Sequence, residues 1–201
     1  PLDPVRYISN RSSGKMGYEI AEALAMLGAS VNLVSGPTHL SVNHPGIKTI
    51  RTTSAEEMHN ACVSLFPTAD ITVLSAAVAD YRPSVVAQQK IKKSENALTL
   101  ELTQTKDIAV SLGQLKKPGQ LLVGFALETE NEMANAEKKL KSKKFDLIVL
   151  NSLRDDGAGF ASDTNKVTLI DKQNRSKVFP LKPKKEVARD IVNAIIESLP
   201  V

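Results

Sequence analysis

Leu121-Leu-Val-Gly-Phe-Ala126, then Asn131 to Lys144, then Asp146-Leu-Ile-Val-Leu150 together decide the fold. The first run is apolar without a break. That pattern suits an interior parallel strand, covered on both faces, rather than a half-solvated one. The second stretch is a lysine-rich helix, and the third is the strand that follows it. Strand, helix and strand in so little chain predict a parallel crossover unit.

The same alternation continues in both directions. Upstream, Asp70 to Leu74 reads as a buried strand that runs into Ser75-Ala-Ala-Val-Ala-Asp80. Before it, Ser54 is a good N-cap and Glu57, three residues on, completes a capping box. The helix they start carries Met58, Cys62, Leu65 and Phe66 on one face. Ile47 to Thr52 and Val31 to Val34 are short strands. Met16, Ile20, Leu24 and Leu27 share one helical face, and Gly28 stops that helix. Downstream, a helix is expected from Asp107 to Leu115. Val167 to Asp171 and Lys177 to Leu181 form a hairpin around Lys172-Gln-Asn174. Pro183 opens a terminal helix through Val187, Ile191, Ile195 and Leu199. Leu98 to Leu102 alternates apolar and polar residues, which predicts a strand with one solvated face.

These elements predict an α/β fold, a parallel sheet with helices on both faces and antiparallel additions. In such sheets ligands bind beyond the carboxyl ends of strands. The segments after Val34, Leu74, Ala126 and Leu150 are therefore the places to look. The chain enters its first helix almost at once, through a loop. A doubly wound domain normally has a strand before that loop, so either the fold starts atypically or the preceding strand is missing.

Composition narrows the function. The chain has 201 residues, 42% of them hydrophobic and 24% charged, which suits one domain over 1–201 with its own core. The formal charge of +4 points to a solvated lysine-rich surface or to an anionic ligand. Aromatic residues are 4% with no Trp, so stacking platforms for nucleic acid are scarce. No apolar run approaches the ~20 residues a membrane helix needs. A single cysteine excludes an internal disulfide and suits a cytoplasmic setting.

Several segments could carry chemistry. Ser12-Ser-Gly-Lys-Met-Gly17 stands before a helix whose free N–H groups and dipole suit phosphate, although Ser12 or Ser13 could equally cap it. It lacks the Walker A spacing. Ala76 and Ala77 would let a ligand approach the backbone closely, and Asp80 could bond a ribose hydroxyl or hold a metal. A tightly packed corner would use the same residues. Lys90-Ile-Lys-Lys93 reads as a mobile basic loop or a solvated charge run. Lys139 and Lys143, four apart, share a helix face and could reach one polyphosphate or serve solubility. Phe125 could contact a base or simply fill the core. Cys62 reads as core. His39, His44 and His59 lack metal-ligand spacing.

In order along the chain, six segments resemble one family. They are Asp3-Pro-Val-Arg-Tyr-Ile-Ser-Asn-Arg-Ser-Ser-Gly-Lys-Met-Gly17, Leu33-Val-Ser-Gly-Pro37, Ala76-Ala-Val-Ala-Asp-Tyr81, Lys90-Ile-Lys-Lys93, Val123-Gly-Phe-Ala-Leu-Glu-Thr129 and Asp146-Leu-Ile-Val-Leu-Asn151. The resemblance is to bacterial phosphopantothenoylcysteine synthetase, the phosphopantothenate–cysteine ligase of coenzyme A biosynthesis. It implies a Rossmann-like open sheet and a homodimer that uses the Leu98 strand and the late hairpin. It implies that CTP and Mg²⁺ activate 4′-phosphopantothenate as an acyl-cytidylate, which L-cysteine then attacks. By the family pattern Asn10 serves that intermediate, with Arg6 holding its loop or pairing with phosphate, and Lys90 neutralises phosphate and closes the site. Ser12, Ser13 and Gly14 would frame the substrate phosphate. Ala76, Ala77, Asp80, Lys90, Lys106, Asp107, Ile108, Ala109, Phe125, Lys139 and Lys143 would take the nucleotide. The family often has Asn-Pro-Asp-Ile where this chain has Thr105-Lys-Asp-Ile108.

The family usually begins with an apolar strand and a glycine-rich turn ahead of the first segment. The resemblance therefore implies an N-terminal truncation. It also implies a flavin-dependent decarboxylase fused or associated in the full protein, with FMN only where that domain is present. A nicotinamide-dependent oxidoreductase is the competing enzyme class. Against it, no Gly-x-Gly-x-x-Gly follows a strand, and no acidic residue closes a second strand. A non-catalytic nucleotide-binding module is the third reading.

Overall fold

The computed structural model describes residues 1–93, 97–128, 130–152 and 162–199. Thr129, which ends one of the segments quoted above, lies outside them.

The chain runs α1 (Lys15–Met26), β1 (Val31–Ser35), β2 (Ile47–Arg51), α2 (Ala55–Leu65), β3 (Ile71–Leu74), β4 (Tyr81–Pro83), β5 (Leu102–Gln104), α3 (Ile108–Leu115), β6 (Leu121–Glu128), α4 (Glu132–Ser142), β7 (Leu147–Ser152), β8 (Thr164–Asn165), β9 (Val167–Asp171), β10 (Ser176–Val178), β11 (Lys182–Pro183) and α5 (Lys184–Glu197). A five-stranded sheet has the order β10-β9-β7-β6-β3. The strands β3, β6 and β7 are parallel, whereas β9 and β10 are antiparallel additions. The expected architecture is therefore present, and the crossover from β6 through α4 to β7 is the expected one.

Alternation along β6 builds two core layers. Leu121 and Val123 face α1 and α5, where Ile20, Val187, Ile191 and Ile195 pack. Leu122 and Ala126 face the other side, with Met58, Phe66, Leu112 and Leu140 from α2, the turn after it, α3 and α4. Gly124 lies on that second face because the Phe145 ring takes the space its side chain would fill. The carboxylate of Asp146 anchors the same corner, accepting from Leu122 N at 2.8 Å and from the Lys116 ammonium.

Helix ends follow sequence signals. Gly28, at φ +89°, lets Gly28 N donate to Ala25 O and Ala29 N to Leu24 O, the paired bonds that close a helix through a left-handed glycine. Ser54 caps α2, accepting from Glu57 N at 3.1 Å. The reciprocal arm differs from expectation: the Glu57 carboxylate takes Thr53 N at 2.8 Å and the Thr53 hydroxyl. Those bonds hold the carboxyl below its ordinary value.

The Leu98 strand is a correction. Its pairing begins only at Leu102, where β5 joins β4 in an antiparallel arm. Leu98, Leu100 and Leu102 are 56%, 38% and 49% exposed. A two-stranded arm has no layer of its own to cover them, so alternation here marks a face left open within this chain.

The strands β1 and β2 pair with each other in parallel and stand apart from the larger sheet. No strand precedes α1 among the described residues. Val31–Val34 of β1 and Ile71–Leu74 of β3 instead line a cavity of about 960 Å³, which continues past the end of β3 toward α3 and α4.

Candidate functional site

The site sits where the fold predicts, beyond the carboxyl end of β3. There Ser75, Ala76, Val78 and Ala79 form a wall shared by two cavities, with Ala77 lining only the second. The larger, of about 960 Å³, is lined at this end by Ala76, Asp80, Lys106, Asp107, Ile108, Ala109, Phe125, Lys139 and Lys143. The second, of about 450 Å³, is lined by Asn10, Ser12, Ser13, Gly14, Ala76 and Ala77. The structure thus brings together every predicted site residue except Arg6 and Lys90, which line neither cavity.

Close packing forms the shared wall. A Cβ at Gly17 would stand 2.8 Å from Ser75 Oγ, so α1 presses directly on the end of β3. Asn10 is held across the same junction, its Nδ2 donating to Ala77 O at 2.6 Å. Thr105 ties the far side, with its N donating to Asp80 O at 2.9 Å and its hydroxyl to Ala79 O at 2.7 Å. Residues 77 to 80 are therefore held by their backbone, leaving the Asp80 side chain exposed.

At the α1 N-terminus neither Ser12 nor Ser13 caps the helix. The N-cap is Gly14, at φ +82°, and no side chain caps the helix. Ser12 and Ser13 hydroxyls accept only long bonds, from Gly14 N at 3.3 Å and Lys15 N at 3.4 Å. No acidic residue lies in the first turn. The positive end of the helix dipole faces the second cavity without an internal counter-charge.

Lys139 of α4 and Lys143 just after it reach the larger cavity already paired. Lys139 Nζ lies 2.7 Å from Glu128 Oε1, and Lys143 Nζ lies 3.0 Å from Asp107 Oδ2. Asp107 also caps α3, accepting from Val110 N at 3.0 Å. Burial works to raise its pKa, but the bonds from Val110 and Lys143 outweigh it and hold the carboxyl below its ordinary value. Cys62 borders the larger cavity as a half-buried thiol, pushed up by burial, in keeping with a core role. His59 bridges helices, its Nε2 lying 2.9 Å from Ser111 Oγ.

Sequence reasoning missed three groups. Thr53, Ser54 and Met58 line the second cavity, so the α2 N-terminus faces it as well; the capping signal marked that helix end but not its direction. Lys15 reaches Asp163 Oδ1 at 2.6 Å, beside the buried Lys184. Burial and the Lys15 charge hold the Lys184 ammonium below its ordinary value, with Asp163 opposing them. Asn151 Oδ1, at the end of β7, is buried with no partner among the described residues.

Residues 1–199 match the family described as DNA/pantothenate metabolism flavoprotein C-terminal domain. The chain belongs to this family. A cysteine/cysteine sulfinic acid decarboxylase from an unknown prokaryotic organism is 51% identical to it over 196 residues, 98% of this chain and 55% of that protein. The coenzyme A biosynthesis bifunctional protein CoaBC of Bacillus subtilis (strain 168) is 44% identical over 194 residues, 96% of this chain and 48% of that protein. A crystal structure of the C-terminal domain of a CoaBC protein superposes with a TM-score of 0.80 at 42% identity, covering 98% of this chain and 89% of that one. The chain thus spans about half the length of the curated relatives it matches. No helix among its described residues is long and apolar enough to cross a membrane.

Proposed function

We propose that residues 1–201 form a ligase domain that joins L-cysteine to 4′-phosphopantothenate at the expense of CTP. The observation that carries this reading is the junction at Ala76 and Ala77. The cavity lined by most of the proposed nucleotide residues and the cavity lined by Asn10 meet there, both bordered by Ala76, with Ala77 on the Asn10 side. A reaction with an acyl-nucleotide intermediate needs that adjacency.

The chemistry explains the residues. A carboxylate is a poor electrophile, so it must first become a mixed anhydride. The substrate carboxylate attacks the α-phosphorus of CTP and pyrophosphate departs. The cysteine amine then attacks the acyl carbon, CMP departs, and the amide remains. Two anions must meet, which calls for cations. Lys106, Lys139 and Lys143 stand at the nucleotide end, the latter two positioned by Glu128 and Asp107. Phosphates would take over those ammonium groups from their carboxylates. Phe125 and the Ala76 backbone offer an apolar face and close approach for the base and ribose. The uncompensated start of α1, with Ser12 to Gly14, would take the phosphopantothenate phosphate.

No group of three or more His, Cys, Asp or Glu among the described residues could cage a metal. Mg²⁺ suits the site as a companion of the triphosphate, with Asp80 the exposed carboxylate nearest to hand. Bound there, it would neutralise phosphate charge.

The full protein would carry the flavin-dependent decarboxylase domain, with FMN only there, and reside in the cytoplasm. The open leucines of the β4–β5 arm support a homodimer, with β10 as a further candidate edge. Sedimentation equilibrium of the Leu98→Ser/Leu100→Ser chain checks this: a monomer where the parent is a dimer is expected.

The deciding experiment is pyrophosphate release, expected only when CTP, phosphopantothenate and Mg²⁺ are all present. Release with ATP but not CTP would move the base assignment to the eukaryotic-type variant. Lys90→Gln is expected to lower turnover more than ~10-fold, about 1.4 kcal/mol of barrier. An unchanged rate would return that loop to the solvated surface.

A further inference from the structure

Asp3 is the most completely shielded acidic side chain of the N-terminal segment, with no side-chain exposure. Its Oδ1 accepts from Val5 N and Arg6 N, each at 2.8 Å. Its Oδ2 accepts from Arg6 Nε at 2.9 Å, from Arg6 Nη2, and from Ile91 N at 3.1 Å. Arg6 Nη2 also donates to Ile91 O at 2.9 Å. The pair therefore grips both backbone polar groups of Ile91, the residue after Lys90. Four residues earlier, Ala87 N donates to Leu2 O at 3.1 Å. Lys90 is carried on a span tethered at both ends to residues 2–6, the segment that leads directly to Asn10.

We infer that Asp3 and Arg6 are a positioning pair that fixes the base of the Lys90 loop to the Asn10 segment. The inference rests on the ligase reading for its catalytic consequence, though not for its geometry. Arg6 then acts by holding backbone rather than by meeting substrate phosphate, since its Nη2 is shared between Asp3 and Ile91. Charge-assisted bonds of this kind are the strong ones. Asp3 satisfies five donors at once.

Two measurements test it in the full chain. The first is amide exchange at Ile91 together with the rate of tryptic cleavage after Lys90. In Asp3→Asn both should rise ten-fold or more while cleavage after Lys116 is unchanged. Unchanged exchange and cleavage at the loop overturn the clamp, whether or not the chain is a ligase. The second is a double-mutant cycle on turnover. Asp3→Asn should cost about ten-fold in the parent and less than two-fold in the Lys90→Gln background, because it acts through Lys90. An equal loss in both backgrounds makes the pair merely structural and overturns the positioning role. Should Asp3→Asn not fold, Arg6→Lys serves in its place: it keeps a charge beside Asp3 but loses the planar fork that spans to Ile91. Asp3→Glu should recover part of both readouts.

Discussion

Asn10→Asp is expected to stop turnover by about 10²–10³-fold while acyl-cytidylate formation continues, so that the intermediate accumulates. The magnitude is that of removing one positioned donor from a developing oxyanion. The structure sharpens the reason. Asn10 is set by one N–H donated to Ala77 O at 2.6 Å, and its amide nitrogen has a second hydrogen for the substrate. A carboxylate offers neither and would meet the Ala77 carbonyl with like charge. It is therefore expected to turn away from the wall and to repel the oxyanion that forms when cysteine attacks. On the proposed ligase reading, activation of the carboxylate uses other residues. Rapid quench with labelled CTP measures both halves: a burst of enzyme-bound cytidylate without product is the expected pattern. Normal turnover would remove Asn10 from the mechanism.

The second large effect is on stability. Gly124→Ala is expected to lower stability by about 3 kcal/mol, at the upper end of overpacking costs. The added Cβ would overlap the Phe145 ring, which is buried between β6 and α4. The ring cannot yield cheaply, because Ile148, Leu112 and Leu140 occupy the same layer. Less backbone freedom in the unfolded chain would return only about 0.4–1 kcal/mol. At about 2–4 °C per kcal/mol for a chain of this size, Tm should fall by roughly 6–12 °C. Phe145→Leu placed on top should recover part of that loss, since a smaller side chain leaves room. A Tm unchanged by Gly124→Ala would show that the ring moves aside freely.

Much of this architecture was legible because its signals are local. Unbroken apolar runs at Leu121 and Leu147, the stop at Gly28 and the 3.6-residue spacing of Val187, Ile191 and Ile195 each follow from a neighbour a few positions away. The proposed nucleotide set came only from family resemblance; spacing alone left Lys139 and Lys143 open between a polyphosphate contact and solubility. What escaped depends on contacts distant in sequence. The overlap of Gly124 with Phe145, the direction of the α2 N-terminus and the grip of Asp3 on Ile91 have no periodicity to betray them. The Leu98 stretch misled for the opposite reason. Its alternation is genuine, but alternation states which residues want cover and not whether this chain supplies it.

The detached pair β1–β2 gives the domain two levels of local stability. Strands β6 and β7 are bonded on both edges and sealed by core on both faces. The edge of β1 that looks across the cavity has no strand beside it among the described residues, and the pair is held to the rest through α1 and α2. Opening free energy follows such differences in packing and pairing. Residues 31–51 should therefore exchange their amide hydrogens through small, frequent openings, and residues 121–151 only through global unfolding. The wall of the second cavity that includes Leu33 to Pro37 and Thr52 to Met58 belongs to the looser part. The cavity consequently has one rigid side and one compliant side, and a ligand that bridges them would tighten the whole domain.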